Sequence, residues 1–353
     1  MVVRRVLALA GSLILLGACA AAPPRPETGA APAPTPVAQP APPPVQPEAA
    51  RPLPEAFESE DFVVALAKPG DTPESLAARH LGDPAKAWMI EDYNETATLS
   101  PGQEVVIPKR PWNLSGVVPA GYQLVPVLCY HDIGPQARGR LVLAVKSFEE
   151  QMRYLKAQGY RVVSVREFLE FLSLKRQLPK KTVVLTFDDG WKSFRQYVHP
   201  ILKELEFGAT LFIYTDFVGA RIGLTWDELK ALAAEGLDVQ AHSKTHGDMR
   251  RRPGEPDDEY GKRMQAELVQ PLALFQRQMG QTPRILAYPY GSHDDDVTKR
   301  VREAGYVAGF DVRRQGNPSF VHRLTVHRSQ VYSEMSLEDF AKNLNVFSQE
   351  AIK

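Results

Sequence analysis

Four short stretches put reactive side chains where apolar runs give out. "KTVVLTFDDG" is apolar up to Asp188-Asp189-Gly190. Neighbouring carboxylates after a buried strand repel one another unless a cation or a proton separates them. "GLDVQAHSKTHGD" carries His242 and His246, an i, i+4 pair whose imidazoles can grip one metal from the same side. "RILAYPYGSHDDD" contains Tyr288-Pro289-Tyr290-Gly291, and "VPVLCYHDIG" contains Tyr130-His131-Asp132. One carboxylate with two imidazoles makes an open three-ligand site, leaving room for water and a substrate oxygen. A lone His-x-x-x-His is weak; several such features on one repeated scaffold are not.

The scaffold is legible from about Leu124 onward. Strand-length apolar runs (Val125–Tyr130, Arg161–Ser164, Thr182–Phe187, Ala209–Tyr214, Leu237–Ala241, Ile285–Tyr288, Tyr306–Phe310) alternate with "SFEEQMRYLKAQG", "REFLEFLSLKR", "SFRQYVHPILKEL", "TWDELKALAAEG" and "DDDVTKRVREAG". These last show the 3.6-residue period of amphipathic helices. Serial β-α repeats over some 200 residues predict an α/β fold with a parallel sheet, closed into a barrel or open and doubly wound. In either architecture reactive groups belong at the C-terminal ends of strands.

"TFDDG", "HSKTH" and "YPYG" resemble the first three motifs of the polysaccharide deacetylases, the NodB-homology group of metal-dependent carbohydrate esterases. The resemblance assigns residues 120–345 to such a domain. It implies a distorted (β/α) barrel that removes acetyl groups from glycans. It makes Asp189, His242 and His246 ligands of a divalent metal, with zinc the default and cobalt or nickel compatible. It makes Asp188 the general base, and gives the backbone N–H near Tyr290 a share of the oxyanion, worth about 10²–10³ in rate.

Two positions depart from the family pattern. Many members carry an arginine two residues before the motif-three proline; here that residue is Ala287, with Arg284 three residues earlier, so what orients Asp188 is left open. The general acid normally comes from a histidine in a late strand. The late candidate, His327 in "LTVHRSQV", has no adjoining carboxylate, and the charge of Arg328 would oppose its protonation. "VLCYHDIG" resembles that acid-bearing strand moved to the front of the domain, as in a permuted branch of the family acting on poly-N-acetylglucosamine exopolysaccharide. On that resemblance His131 is the acid and His327 the alternative. Asp132 would raise the His131 pKa if their side chains converged. Cys129 reads as a small core residue.

Ahead of the barrel, "FVVALAKPGDTPESLAARHLGDPAKAWMIEDYNETATLSPGQEVVIP" reads as a β-α-α-β unit. Its phrases "PGDT", "GD" and "PGQEVVIP" resemble the LysM module, which implies binding to N-acetylglucosamine-containing glycan; the unit is assigned to residues 59–109. Residues 1–18 pair two arginines with an apolar run too short for a comfortable span, ending in Leu16-Gly17-Ala18-Cys19, which resembles a lipobox. That resemblance makes Cys19 the lipid attachment site and implies anchoring, with the protein at the periplasmic face of a Gram-negative outer membrane. Residues 19–58 form a Pro/Ala-rich tether: 13 of the 30 prolines fall between Ala20 and Pro54, and such a segment stays extended rather than burying apolar surface.

Forty-two basic residues balance 42 acidic ones, so the chain lacks the electrostatic footprint of a nucleic-acid binder. These observations together predict a lipid-anchored, metal-dependent deacetylase of an N-acetylglucosamine polymer. Peptidoglycan is the first expectation and poly-β-1,6-N-acetylglucosamine the alternative; a non-catalytic wall-binding lipoprotein is the alternative of another class.

Overall fold

The structure is a computed structural model and describes residues 56–350. The expected signal segment, Cys19 and all but the last residues of the expected tether lie outside them.

Strand β2 (Phe62–Leu66), helices α1 (Pro73–Leu81) and α2 (Ala87–Asn94) and strand β3 (Glu104–Pro108) follow in the expected order. An additional strand, β1 (Ala56–Glu58), pairs antiparallel with β2 and lies inside the stretch expected to be tether. Alternation along β2 and β3 turns Val63, Ala65, Val105 and Ile107 onto Leu76 and Ile90 of the helices. Thr72 starts α1 with a capping box to Ser75 and Pro73 in the first turn. The Asn94 amide works as a detached strand partner: its nitrogen donates to the carbonyls of Ile90 and Val106, and its oxygen accepts from the Val106 N–H at 3.0 Å.

The second body is a curled sheet of seven parallel strands: β4 (Val127–Tyr130), β5 (Thr182–Asp189), β6 (Thr210–Ile213), β7 (Asp238–Ala241), β8 (Ile285–Ala287), β9 (Ala308–Phe310) and β10 (Ser329–Gln330). Their spatial order is β9-β8-β7-β6-β5-β4-β10. The two-residue strand Arg161–Val162 pairs with the start of β5, off this path. Val326 bridges to Phe310 beyond β9, and three residues later the same segment joins β4 as β10. Residues 326–330 therefore span the gap between the sheet edges, which makes the sheet a distorted barrel. β5 is buried at all eight positions, as a strand covered on both faces must be.

Helices α3 (Val145–Ala157), α4 (Val165–Phe171), α5 (His199–Leu205), α6 (Trp226–Ala234), α7 (Asp257–Met279) and α8 (Asp295–Glu303) connect the strands. The expected helix over 193–205 is broken: Phe194–Val198 forms a π turn and the α-helix begins only at His199. Pro200 cannot donate into the ladder, which is the physical reason for the change of pitch. The 23-residue α7 was not expected, because Gly261 and Pro271 interrupt the helical signal; packing of Tyr260, Met264, Leu268 and Phe275 overrides both.

Gly309 on β9 faces Tyr288, which is buried and donates its hydroxyl to the Leu324 carbonyl at 2.8 Å. A Cβ at Gly309 would overlap the Tyr288 hydroxyl and sit 2.7 Å from Cζ. Gly309→Ala is therefore expected to cost about 1–3 kcal/mol of stability, read from urea unfolding. A variant as stable as the parent would show that Tyr288 can shift.

Candidate active site

Asp188 and Asp189 end β5, and His242 follows directly on β7 two strands away. The sheet thus brings the two motifs to the same rim, and the 243–246 turn folds His246 back beside His242, with ring centroids 4.8 Å apart. Asp189, Ser243, His246 and Tyr290 have positive φ (73°, 70°, 61° and 59°). Among the described residues the other such non-glycine positions, Glu95, Leu174 and Glu206, lie at or just past helix ends, where left-handed backbone is ordinary. Backbone strain is therefore concentrated where the reactive groups meet.

Asp189, His242 and His246 present ligating atoms that all lie within 4.8 Å of one another. Trp191 Nε1 donates to Asp189 Oδ2 at 3.0 Å. Oδ1 is buried without a hydrogen-bond partner, with His246 Nε2 3.4 Å and His242 Nε2 3.7 Å away. His242 Nδ1 lies 2.8 Å from the Ala287 carbonyl, so that nitrogen carries the proton and Nε2 turns a lone pair toward Asp189. Burial holds the His242 imidazole below its usual pKa, against the pull of the two carboxylates. Three lone-pair donors converging on one point, with the outer atoms of Asp189 and His242 anchored, fit a divalent cation.

Asp188 is occupied differently. Fully buried Arg328 donates from both terminal nitrogens, to Oδ1 at 2.6 Å and Oδ2 at 2.8 Å. Burial alone would raise the Asp188 pKa; Arg328, with His242 behind it, overcomes this and holds the carboxyl well below the usual range. Arg328 also donates from Nε to the Asp311 carbonyl, and its guanidinium lies over the Phe212 ring. The function left open by Ala287 thus falls to a residue from the segment that closes the barrel. In sequence Arg328 was noticed only as the neighbour of His327.

His131 follows β4, next to β5, and one of its ring nitrogens, the Cys129 sulfur and an Asp188 carboxylate oxygen lie within 4.8 Å of one another. His131 Nδ1 is buried with no hydrogen-bond partner. A second cation in this group is disfavoured, because Arg328 already neutralises Asp188 and burial drives the Cys129 thiol pKa up, so the sulfur stays protonated and lies 3.5 Å from Asp188 Oδ2. The condition on Asp132 is not met, since its Oδ1 accepts from the Ser193 hydroxyl at 2.5 Å. His327 also differs from expectation. A carboxylate does adjoin it, since Nδ1 lies 3.2 Å from Asp311, and Arg328 turns away toward Asp188. Asp311 also meets His293 and Arg313. Tyr290 is 64% exposed, its ring 4.7 Å from that of His246. With Tyr214, Phe217 and Trp191 it lines the cleft with aromatic faces.

Residues 175–309 match the family model for polysaccharide deacetylases. The chain is similar to the poly-beta-1,6-N-acetyl-D-glucosamine N-deacetylase of Staphylococcus aureus (strain MRSA252), 29% identical over 48% of this chain and 60% of that one. It is also similar to the enzyme of the same name from Escherichia coli (strain K12), 21% identical over 69% of this chain and 40% of that one. The chain thus spans less than two thirds of either relative. Among solved structures, the Streptococcus pyogenes deacetylase PplD in complex with acetate shares the fold, with a TM-score of 0.57 and 24% identity over 64% of this chain and 99% of that one.

Arg328→Met leaves Asp188 buried and unpaired, and should cost about 3–5 kcal/mol at pH 7 in metal-free protein. The native carboxyl pKa is depressed, so the pair stabilises the fold above about pH 4, the unfolded value, and loses that contribution as pH falls further. In Arg328→Met the buried carboxyl takes up a proton more readily. The difference between the two proteins in urea melts should therefore shrink from pH 7 to pH 4; a gap that stays constant would deny the pair its electrostatic role.

Proposed function

We propose that the chain, whose residues 175–309 match the polysaccharide deacetylase family model, is a polysaccharide N-deacetylase that hydrolyses N-acetyl groups of an N-acetylglucosamine polymer at the cell envelope. The observation that carries the reading is the pairing of two differently treated carboxylates: Asp189 free toward two imidazoles, Asp188 locked on Arg328.

Asp189, His242 and His246 would hold the cation, zinc by the chemistry of one carboxylate and two imidazoles. Bound there, it supplies Lewis acidity at the acetyl carbonyl and a lowered pKa for water. Asp188 takes the proton of the attacking water. Arg328 holds its pKa below the usual carboxylate range and fixes its plane. The backbone N–H at Tyr290 helps hold the oxyanion. His131, at the end of β4 next to β5, gives a proton to the amine nitrogen as the C–N bond breaks, releasing acetate and leaving a glucosamine unit in the polymer. The aromatic faces of Trp191, Tyr214 and Tyr290 suit the apolar faces of sugar rings.

Peptidoglycan is the preferred glycan. The 59–109 unit, read as a LysM-like binder, the 19–58 tether and lipid attachment at Cys19 would together hold the barrel at the wall, on the periplasmic face of the outer membrane. Poly-β-1,6-N-acetylglucosamine is the second reading, favoured by the names of the two relatives and by the forward position of His131.

Chelation should abolish acetate release from chitooligosaccharide, and added Zn²⁺ should restore it. Asp188→Asn at saturating metal should lower kcat/KM by about 10²–10⁴. His131→Gln should lower kcat by about the same factor and flatten the basic limb of the pH profile; retention of that limb would return the acid role to His327. Purified sacculi set against a poly-β-1,6-N-acetylglucosamine oligomer decide the substrate, faster turnover of the oligomer overturning the peptidoglycan reading.

A further inference from the structure

The 243–246 turn is an unstable piece of backbone. Ser243 and His246 are both left-handed, and neither is glycine, so each costs of order 1 kcal/mol unless its surroundings fix it. From the β6 side the turn is held by main chain: Thr215 and Asp216 N–H groups donate to the Ser243 and Lys244 carbonyls. From the other side it is held by a single side chain. Glu267, buried in the middle of α7, accepts from the Lys244 N–H at 3.0 Å and the Thr245 N–H at 2.9 Å on Oε2, and from the Thr245 hydroxyl at 2.5 Å on Oε1. A buried carboxylate is costly unless hydrogen-bonded, and all three of these donors come from the residues between His242 and His246.

We infer that Glu267 is a positioning residue for the metal centre, clamping the turn so that His246 aims its Nε2 at the point His242 and Asp189 already face. His242 needs no such help, since the Ala287 carbonyl fixes its ring. For His246, the bond from its own N–H to Ser243 Oγ at 3.1 Å sets the backbone, and Glu267 holds the two residues in between. Charge-assisted bonds from backbone N–H groups to a carboxylate are stronger than those to a neutral acceptor, so glutamine of the same size is not equivalent. The inference rests on Asp189, His242 and His246 being a cation site.

The test is Zn²⁺ titration calorimetry on the full chain after chelator treatment, with Co²⁺ absorption as the second readout and His246→Ala as a control. Glu267→Gln is expected to weaken Zn²⁺ binding about 10–100-fold, to alter the Co²⁺ ligand-field bands, and to recover most of its kcat at saturating metal. A merely structural Glu267 would instead lower the melting temperature of the metal-free protein and leave the affinity of folded molecules alone; equal affinity in folded Glu267→Gln overturns the inference. If that variant does not fold, Thr245→Val, which removes one donor, should still weaken binding by about 3–10-fold, as expected for one lost charge-assisted bond, and unchanged affinity counts against the clamp. A parent chain that binds no divalent cation, like its His246→Ala control, overturns the cation site itself and this inference with it.

Discussion

A single ion pair inside the barrel, Arg328 on Asp188, governs how the site is built. A guanidinium without water costs several kcal/mol to bury unless its donors are satisfied. Here four of its five N–H groups are paired: the Asp311 carbonyl, the Thr186 hydroxyl and both oxygens of Asp188 accept from it. Arg328 lies on the 326–330 segment, the one that bridges β9 and β4. Closing the sheet and orienting the carboxylate are therefore the same event. A barrel left open at this seam would leave both charges buried and unpaired.

The adjacent carboxylates are separated by backbone geometry. Successive residues of a strand point to opposite faces, and β5 sends Asp188 inward to Arg328. Asp189, at φ 73°, leaves the strand in a left-handed step and turns toward Trp191 and the two imidazoles. Two like charges one residue apart thus acquire different neighbours, one a fixed cation and the other a set of lone pairs. In the proposed reaction that division would let Asp189 serve as ligand while Asp188, held by Arg328, takes the proton.

Much of this was readable along the chain. "TFDDG" and "HSKTH" announced themselves because the chemistry needs two carboxylates and two imidazoles at fixed short spacings, and the parallel order of strands followed from the alternation of periods. Other features left no local trace. Arg328 was one arginine among many, and its partner lies 140 residues away. Glu267 sits in a helix whose signal is blurred by Gly261 and Pro271, and its partners are backbone groups, which have no sequence signature. Asp132 next to His131 invited a pairing that the sheet forbids, since adjacent residues of extended backbone diverge and Ser193 takes the carboxylate instead. His327 was judged by its neighbours in sequence, whereas the carboxylate beside it comes from the next strand of the barrel.

The sequence by itself determined which side chains are available: two adjacent carboxylates, a His-x-x-x-His pair, a forward histidine, and the repeated β-α units that bring them to one rim. Those are local properties, set by residue type and by periods of two and 3.6. The tertiary structure alone decided which charge meets which. It gave Asp188 to Arg328, Asp311 to His327 and the 243–246 turn to Glu267, because long-range pairing depends on strand register and sheet closure, which no short stretch of chain encodes.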